Sequence, residues 1–152
     1  MSQTVHHATI RLERRYDAPA EKVFAEFADP IARARWSAPS GDTLVYDESD
    51  FRIGGKDVFR CGPQGDLKFR GETRYLSIEP NLRVLSSETL QTAGQTLAVS
   101  LNTLELDASD GGVTVTVTVQ IASFVGPGLV AGFESGHQSA LDGLAQHLAA
   151  GV

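Results

Sequence analysis

One cysteine, Cys61, stands among 152 residues. No internal disulfide can form, and no zinc site can be assembled from thiolates. Positive charge is also scarce, with 13 Lys and Arg against 19 Asp and Glu and a net charge of −6. Nucleic acids and anionic membrane surfaces are held by basic side chains set against phosphates. The one dense basic run, Arg11 to Arg15, is broken by Leu12 and Glu13, so no nucleic-acid partner is expected. Long apolar runs are missing too. No stretch approaches the roughly 18 apolar residues of a spanning helix, so no membrane insertion is expected. Met1 to His7 has neither the basic start nor the apolar segment of a signal peptide. These absences lead to a cytoplasmic expectation.

Clustered catalytic and ligating residues are equally scarce. His6 and His7 lie at a terminus expected to fray. His137 and His147 are ten residues apart on one helix, about 80° out of line at its period, which is too far to share a metal. No carboxylate–histidine set with metal spacing occurs, so neither metal nor cofactor is expected. The pairs Gly54-Gly55 and Gly111-Gly112 do not open helices and are not phosphate cradles. There is no Gly-x-Ser-x-Gly elbow. Ser135 and Ser139 sit two positions from His137, roughly 160° around the helix. No catalytic residue is assigned.

What is present is a strong alternation of apolar and polar residues. Ala8 to Tyr16 reads as a half-buried strand with Ile10 and Leu12 on one side. Asp17-Ala18-Pro19 looks like a helix start, with Asp17 as cap, and Val23, Phe24, Phe27 and Ala28 form an apolar stripe. Asp29-Pro30 ends that helix and begins a short second one reaching Trp36, and Ala38 to Gly41 reads as a loop. Strands are expected at 43–52, 56–61, 67–78, 83–90, 96–106 and 113–121, separated by Gly-, Pro- and Asn-rich turns. In the fifth of these the apolar phase changes between Leu101 and Leu104, which predicts a bulge near Asn102. Val113, Val115, Val117, Val119 and Ile121 alternate strictly with Thr114, Thr116, Thr118 and Gln120. From about Gly128 to Ala150, Phe133, His137, Ala140, Leu141, Leu144 and Leu148 recur at helical spacing.

The fold class that follows is α+β. About six to seven antiparallel strands form a curved sheet around a long C-terminal helix, with two short helices after the first strand. The whole chain, 1–152, reads as one domain. Such a concavity is rarely filled by one helix, and a leftover cavity suits a small apolar ligand. Its expected lining is Trp36, Phe59, Phe69, Tyr75, Val115, Val117, Phe133, His137 and Leu141. Arg14, Asp57 and His137 are candidate polar anchors, with Arg14 and Asp57 read as neighbours. Each also has a plainer reading: Arg14 as a surface pair, Trp36 as a core plug, Cys61 as a small buried hydrophobe, His137 as a satisfied core histidine.

Four groups of residues, in order, resemble a known family. They are Arg14-x-Tyr16-Asp17-Ala18-Pro19 with Val23-Phe24, Asp29-Pro30 and Trp36; Asp50 to Gly55; Ile78-x-Pro80-x-x-Arg83-Val84; and Gly136-His137-x-x-Ala140-Leu141-Asp142-x-Leu144 with His147-Leu148. Together they look like the bacterial relatives of the activator of heat-shock-protein-90 ATPase, within the START or birch-pollen-allergen-like (SRPBCC) superfamily. The resemblance implies a helix-grip fold with a deep hydrophobic cavity. Members include lipid and hormone carriers, aromatase/cyclase-type enzymes and co-chaperone domains. Many relatives carry Gly-Trp where this chain has Gly136-His137, an exchange that removes bulk and adds a titratable group. The function expected is binding of a small hydrophobic molecule. A polyketide-cyclase-like enzyme is the alternative, a chaperone-interacting domain the second alternative, and a homodimer is left open.

Overall fold

The computed structural model describes residues 4–38 and 41–151. The element order is β1 (His6–Tyr16), α1 (Ala20–Ala28), α2 (Pro30–Trp36), β2 (Asp42–Ser49), β3 (Lys56–Pro63), β4 (Phe69–Glu79), β5 (Arg83–Thr92), β6 (Gln95–Ser109), β7 (Gly112–Ser123) and α3 (Pro127–Ala149). All seven strands form one antiparallel sheet in the order β1-β7-β6-β5-β4-β3-β2. Five tight connections put β2 to β7 side by side in chain order. The first strand then returns to pair with the last. This is the helix-grip architecture expected from the sequence. Pro39 and Ser40 of the expected loop lie outside the described residues.

Local chemistry explains most boundaries. The Asp29 carboxylate accepts the Ile31 N–H at 2.9 Å and caps α2, with Pro30 at its first position. Pro127 opens α3 after Gly126, whose φ of 93° sets the chain's turn into the helix. The β5–β6 connection places Ala93 and Gly94 at φ 50° and 77°, the left-handed pair that a two-residue hairpin needs.

Three expectations are corrected. Pro19, not Asp17, occupies the N-cap of α1, and no side chain caps that helix. His6 and His7 are held in β1 opposite Ser123 and Ala122 rather than fraying, because β7 extends far enough to pair with them. Asn102 is not at a bulge: β6 runs in unbroken register with β7 from Ala98 to Ser109. The extra residue is Leu97, where β5 steps from Leu90 to Gln91. The inner face of β6 is therefore Ala98, Ser100, Asn102, Leu104 and Leu106. Val99, 41% exposed, and Leu101 belong to the convex outer face. Apolar residues on that face mimic a phase change.

The core gathers at the β1–β7–β6 side. Ile10 and Leu12 of β1, the five aliphatic residues of β7, Leu106, Val23 and Phe24 of α1, and Leu141 and Leu144 of α3 are all buried there. Each such side chain contributes about 1.5–3 kcal/mol of burial free energy. The C-terminal half of α3 is further tied down. The Tyr16 hydroxyl donates to the Leu141 carbonyl at 2.8 Å, and His147 Nε2 lies 2.9 Å from Glu26 Oε2 of α1. At Gly143, where a Cβ would fall 2.2 Å from the Trp36 carbonyl oxygen, α3 approaches the end of α2.

A polar-edged cavity as candidate functional site

Strand register arranges the inner face of the sheet in rows. One row runs Tyr46, Phe59, Gly71, Leu90, Ala98; the next runs Ser49, Asp57, Thr73, Glu88, Ser100, Ile121; a third runs Tyr75, Ser86, Asn102, Val119, Ile10; a fourth runs Ile78, Val84, Leu104, Val117, Leu12. The two middle rows are polar on β2–β5 and become aliphatic toward β7 and β1, while the first is aromatic on β2 and β3 and the fourth aliphatic throughout. The polar side is where the sheet and α3 do not close on each other.

A cavity of about 420 Å³ lies there, between β2–β6 on one side and α2 and α3 on the other. From α3 it is faced by Phe133, Gly136, His137, Ala140 and Leu141, one stripe of the helix. Phe59 reaches flat across the floor because Gly71 opposite has no side chain; a Cβ there would fall 2.0 Å from its ring. A second, more open depression on the convex face, near Val99 and Gln120, collects no titratable side chain except His7.

Asp57 organises the polar wall. Fully buried, it accepts from Arg33 Nη1 at 2.9 Å, from the Ser49 hydroxyl at 2.7 Å and from the Tyr75 hydroxyl in a short hydrogen bond. Arg33 Nη1 also donates to Tyr75 Oη at 3.1 Å. Its guanidinium lies 4.8 Å over the Tyr46 ring. That ring face is the neighbour of a cation whose Nε and Nη2 have no hydrogen-bond partner among the described residues. Burial pushes the Tyr46 hydroxyl up to about 12 and raises that of Tyr75 as well.

Glu88 is the unpaired member. Its Oε1 accepts only from the Thr73 hydroxyl, at a long 3.4 Å. It makes no ion pair among the described residues. Burial pushes its carboxyl up to about 7, and the Asp57 carboxylate adds to the rise. His137 faces the same cavity from α3. Burial lowers its pKa, so the imidazole is neutral near pH 7. Its ring is tilted at 52° to Phe133, 6.4 Å away. The Cys61 thiol, pushed up to about 11 by burial, is a poor nucleophile. No group of three or more metal-ligating side chains exists among the described residues.

Of the residues expected at the cavity, Trp36, Phe59, Tyr75, Val117, Phe133, His137 and Leu141 lie around it, as does Cys61. Val115 is fully buried in the core instead, one step along β7 from Val117. Phe69 opens β4 opposite Cys61 but lies outside the cavity, with the Lys68 ammonium 5.4 Å over its ring. Arg14 is not Asp57's neighbour. It reaches Asp142 at 3.5 Å and keeps 35% of its side chain exposed. The register separates the two, since β1 and β3 sit at opposite sides of the sheet.

Sequence reasoning missed Arg33, Tyr46, Glu88 and Asn102. Alternation held a signal for two of them. Val84, Ser86, Glu88 and Leu90 share one face of β5, and Asn102 shares a face with Leu104 and Leu106 once the bulge is moved to Leu97. Arg33 stands one helical turn before Trp36, and only the docked α2 turns both inward.

A grip-like sheet, a long C-terminal helix and an internal cavity with one polar wall define a helix-grip domain. The chain belongs to the family of Activator of Hsp90 ATPase homolog 1-like proteins, whose family model matches residues 17–149, and through it to the SRPBCC superfamily. A protein from Rhizobium loti of known structure is 33% identical over 94% of this chain and 98% of its own, with a TM-score of 0.83. A protein from Rhizobium leguminosarum is 27% identical over 96% and 97%, with a TM-score of 0.85. A protein of the dynemicin biosynthetic locus shares the fold at 20% identity and a TM-score of 0.71, this chain spanning 48% of its length. No curated protein matches the chain.

Proposed function

We propose that this protein binds a small, mainly apolar molecule in the cavity between the sheet and α3. The observation that carries this reading is the cavity itself: about 420 Å³, bordered by the aromatic rings of Phe27, Trp36, Phe51, Phe59 and Phe133 and by one polar wall. A cytoplasmic setting accords with the lone cysteine. No described helix is long and apolar enough to cross a membrane. The chain acts as one unit in this reading, because the cavity takes side chains from α2, α3 and every strand from β2 to β7.

A second reading, a polyketide-cyclase-like enzyme, draws on Glu88 titrating near neutrality beside the cavity. General acid–base work needs a proton donor and acceptor within hydrogen-bond reach of a common point. Glu88 touches only Thr73, and His137 makes no side-chain hydrogen bond among the described residues. Binding is therefore preferred.

Two built-in reporters make the test direct. Trp36 is the only tryptophan and Cys61 the only cysteine, and both border the cavity. An uncharged apolar probe such as decanol is expected to shift Trp36 emission and to slow Cys61 alkylation by an apolar maleimide. His137→Trp, tested with Cys61 as reporter, narrows the cavity and is expected to weaken the probe several-fold. A folded His137→Trp protein with unchanged affinity would remove α3 from the binding wall. No response by either reporter in the native protein would reject the binding reading.

A further inference from the structure

Glu88 is placed where an ionisable side chain has no structural use. It sits on the inner face of β5, between Thr73 of β4 and Ser100 of β6, and it borders the cavity. Its surroundings hold no free cation. Thr73 of β4 donates to it, Asp57 and Cys61 of β3 and Tyr46 of β2 lie within electrostatic reach, and Tyr75 of β4 with Ser100 and Asn102 of β6 hold neighbouring inner-face positions. The Arg33 guanidinium of α2 is held by Asp57 and Tyr75 through Nη1, and its Nε and Nη2, though unpartnered among the described residues, are buried out of a ligand's reach. His137 of α3, across the cavity, has no carboxylate to hold a proton on it. Arg33 and Asp57 cancel, which leaves two carboxylates on the cavity lining: the exposed Asp42 at the rim and Glu88 on the inner face.

Resting on the binding reading above, we infer that the ligand is an apolar organic cation whose ammonium or similar basic group docks on the Glu88 carboxylate. Three ligand types can be compared by charge alone. A fatty or aromatic carboxylate would enter a cavity lined by the Asp42 and Glu88 carboxylates, with the Arg33 charge offset by Asp57; like charges at low dielectric repel strongly. A neutral alcohol would gain an ordinary hydrogen bond. A protonated amine would gain a charge-assisted hydrogen bond and pair a half-buried carboxylate that has no ion-pair partner among the described residues. Its chain or ring would lie between Phe59 and Tyr46 on one side and Phe133 on the other. The net charge of −6 on the whole protein also draws cations toward it.

The test uses three probes of one chain length, decylamine, decanol and decanoate, each below its micellar concentration, with Trp36 emission as readout. At pH 8 decylamine is expected to bind about tenfold more tightly than decanol, the scale of one charge-assisted contact. Decanoate is expected to bind more weakly than decanol. The advantage of the amine should shrink at pH 5.5, where Glu88 takes up a proton. Glu88→Gln should abolish the amine's advantage while leaving decanol affinity within about twofold. Equal binding of amine and alcohol, tighter binding of decanoate, or an amine advantage that survives in Glu88→Gln would each overturn this inference and leave the cavity reading intact. Failure of all three probes would overturn the cavity reading itself.

Discussion

At the scale of single residues, Glu88 and His137 pull stability in opposite directions with pH. The folded-state pKa of Glu88 is raised from 4.5 to about 7. The folded protein therefore holds this proton more firmly than the unfolded chain. The resulting stability is present in full below about pH 4.5 and is lost as pH rises through about 7. A shift of that size corresponds to about 3 kcal/mol. Glu88→Gln is expected to raise unfolding free energy at pH 8 by up to about 3 kcal/mol and to change little at pH 4. Urea denaturation at both pH values checks it, and an equal effect at the two would show that the carboxyl is not strained. His137 works the other way. Its lowered pKa means that the unfolded chain takes up the proton first, so its contribution is lost as pH falls below 6.5.

At the scale of elements, α3 is two helices in one. Its C-terminal half is clamped by Leu141, Leu144, the Tyr16 hydroxyl and the close approach at Gly143. Its N-terminal half lies over the cavity and contains Gly128, Gly132 and Gly136, at each of which a Cβ would meet nothing within 4 Å. Glycine inside a helix costs about 1 kcal/mol relative to alanine. Gly136→Ala is thus expected to stabilise the protein by about that amount. Gly143→Ala is expected to destabilise it by about 1–3 kcal/mol, because the new methyl meets a backbone carbonyl that cannot rotate away. Thermal melts of the pair decide it; a stabilising Gly143→Ala would mean that α3 does not rest on Trp36. Much of this element was legible. Three-and-four spacing placed α3, and strict alternation placed β7. Alternation failed on β6, where Val99 and Leu101 sit on the solvent face and look like core. On β5 alternation put Glu88 on the face of Val84 and Leu90, a signal masked by its polar character, which suits an exposed position in a strand. The register, which seats Glu88 between Thr73 and Ser100, makes that inward placement plain. The Arg33–Asp57 pair was illegible for a different reason. It joins α2 to β3 across 24 residues, and no local pattern encodes where a short helix docks.

At the scale of the molecule, the sheet divides its labour across its width. Along the two middle inner rows, polar residues on β2–β5 give way to aliphatic ones on β7 and β1. The β7 side packs against α1 and the clamped half of α3, and only Val117 of β7 reaches the cavity. The other side faces the open half of α3. Stability and binding then depend on different residues, and truncation separates them. Val115 is fully buried, and removing its two methyl groups opens a void among packed neighbours, at a cost of about 1–3 kcal/mol. Phe59 already borders empty space and touches few neighbours beyond Gly71 and the Tyr46 ring, 6.1 Å away. Phe59→Ala forfeits fewer contacts than a fully packed phenylalanine would, so its cost is expected below the usual 3–5 kcal/mol. Its effect on a cavity-bound probe should be larger, because the ring is the floor the probe rests on. Val115→Ala should show the reverse: a clear loss of unfolding free energy and an unchanged decanol affinity. Measuring both quantities on both variants tests the division. Parallel losses in the two variants would mean that core and cavity are one continuous packing unit, and that no part of the sheet is given over to the ligand.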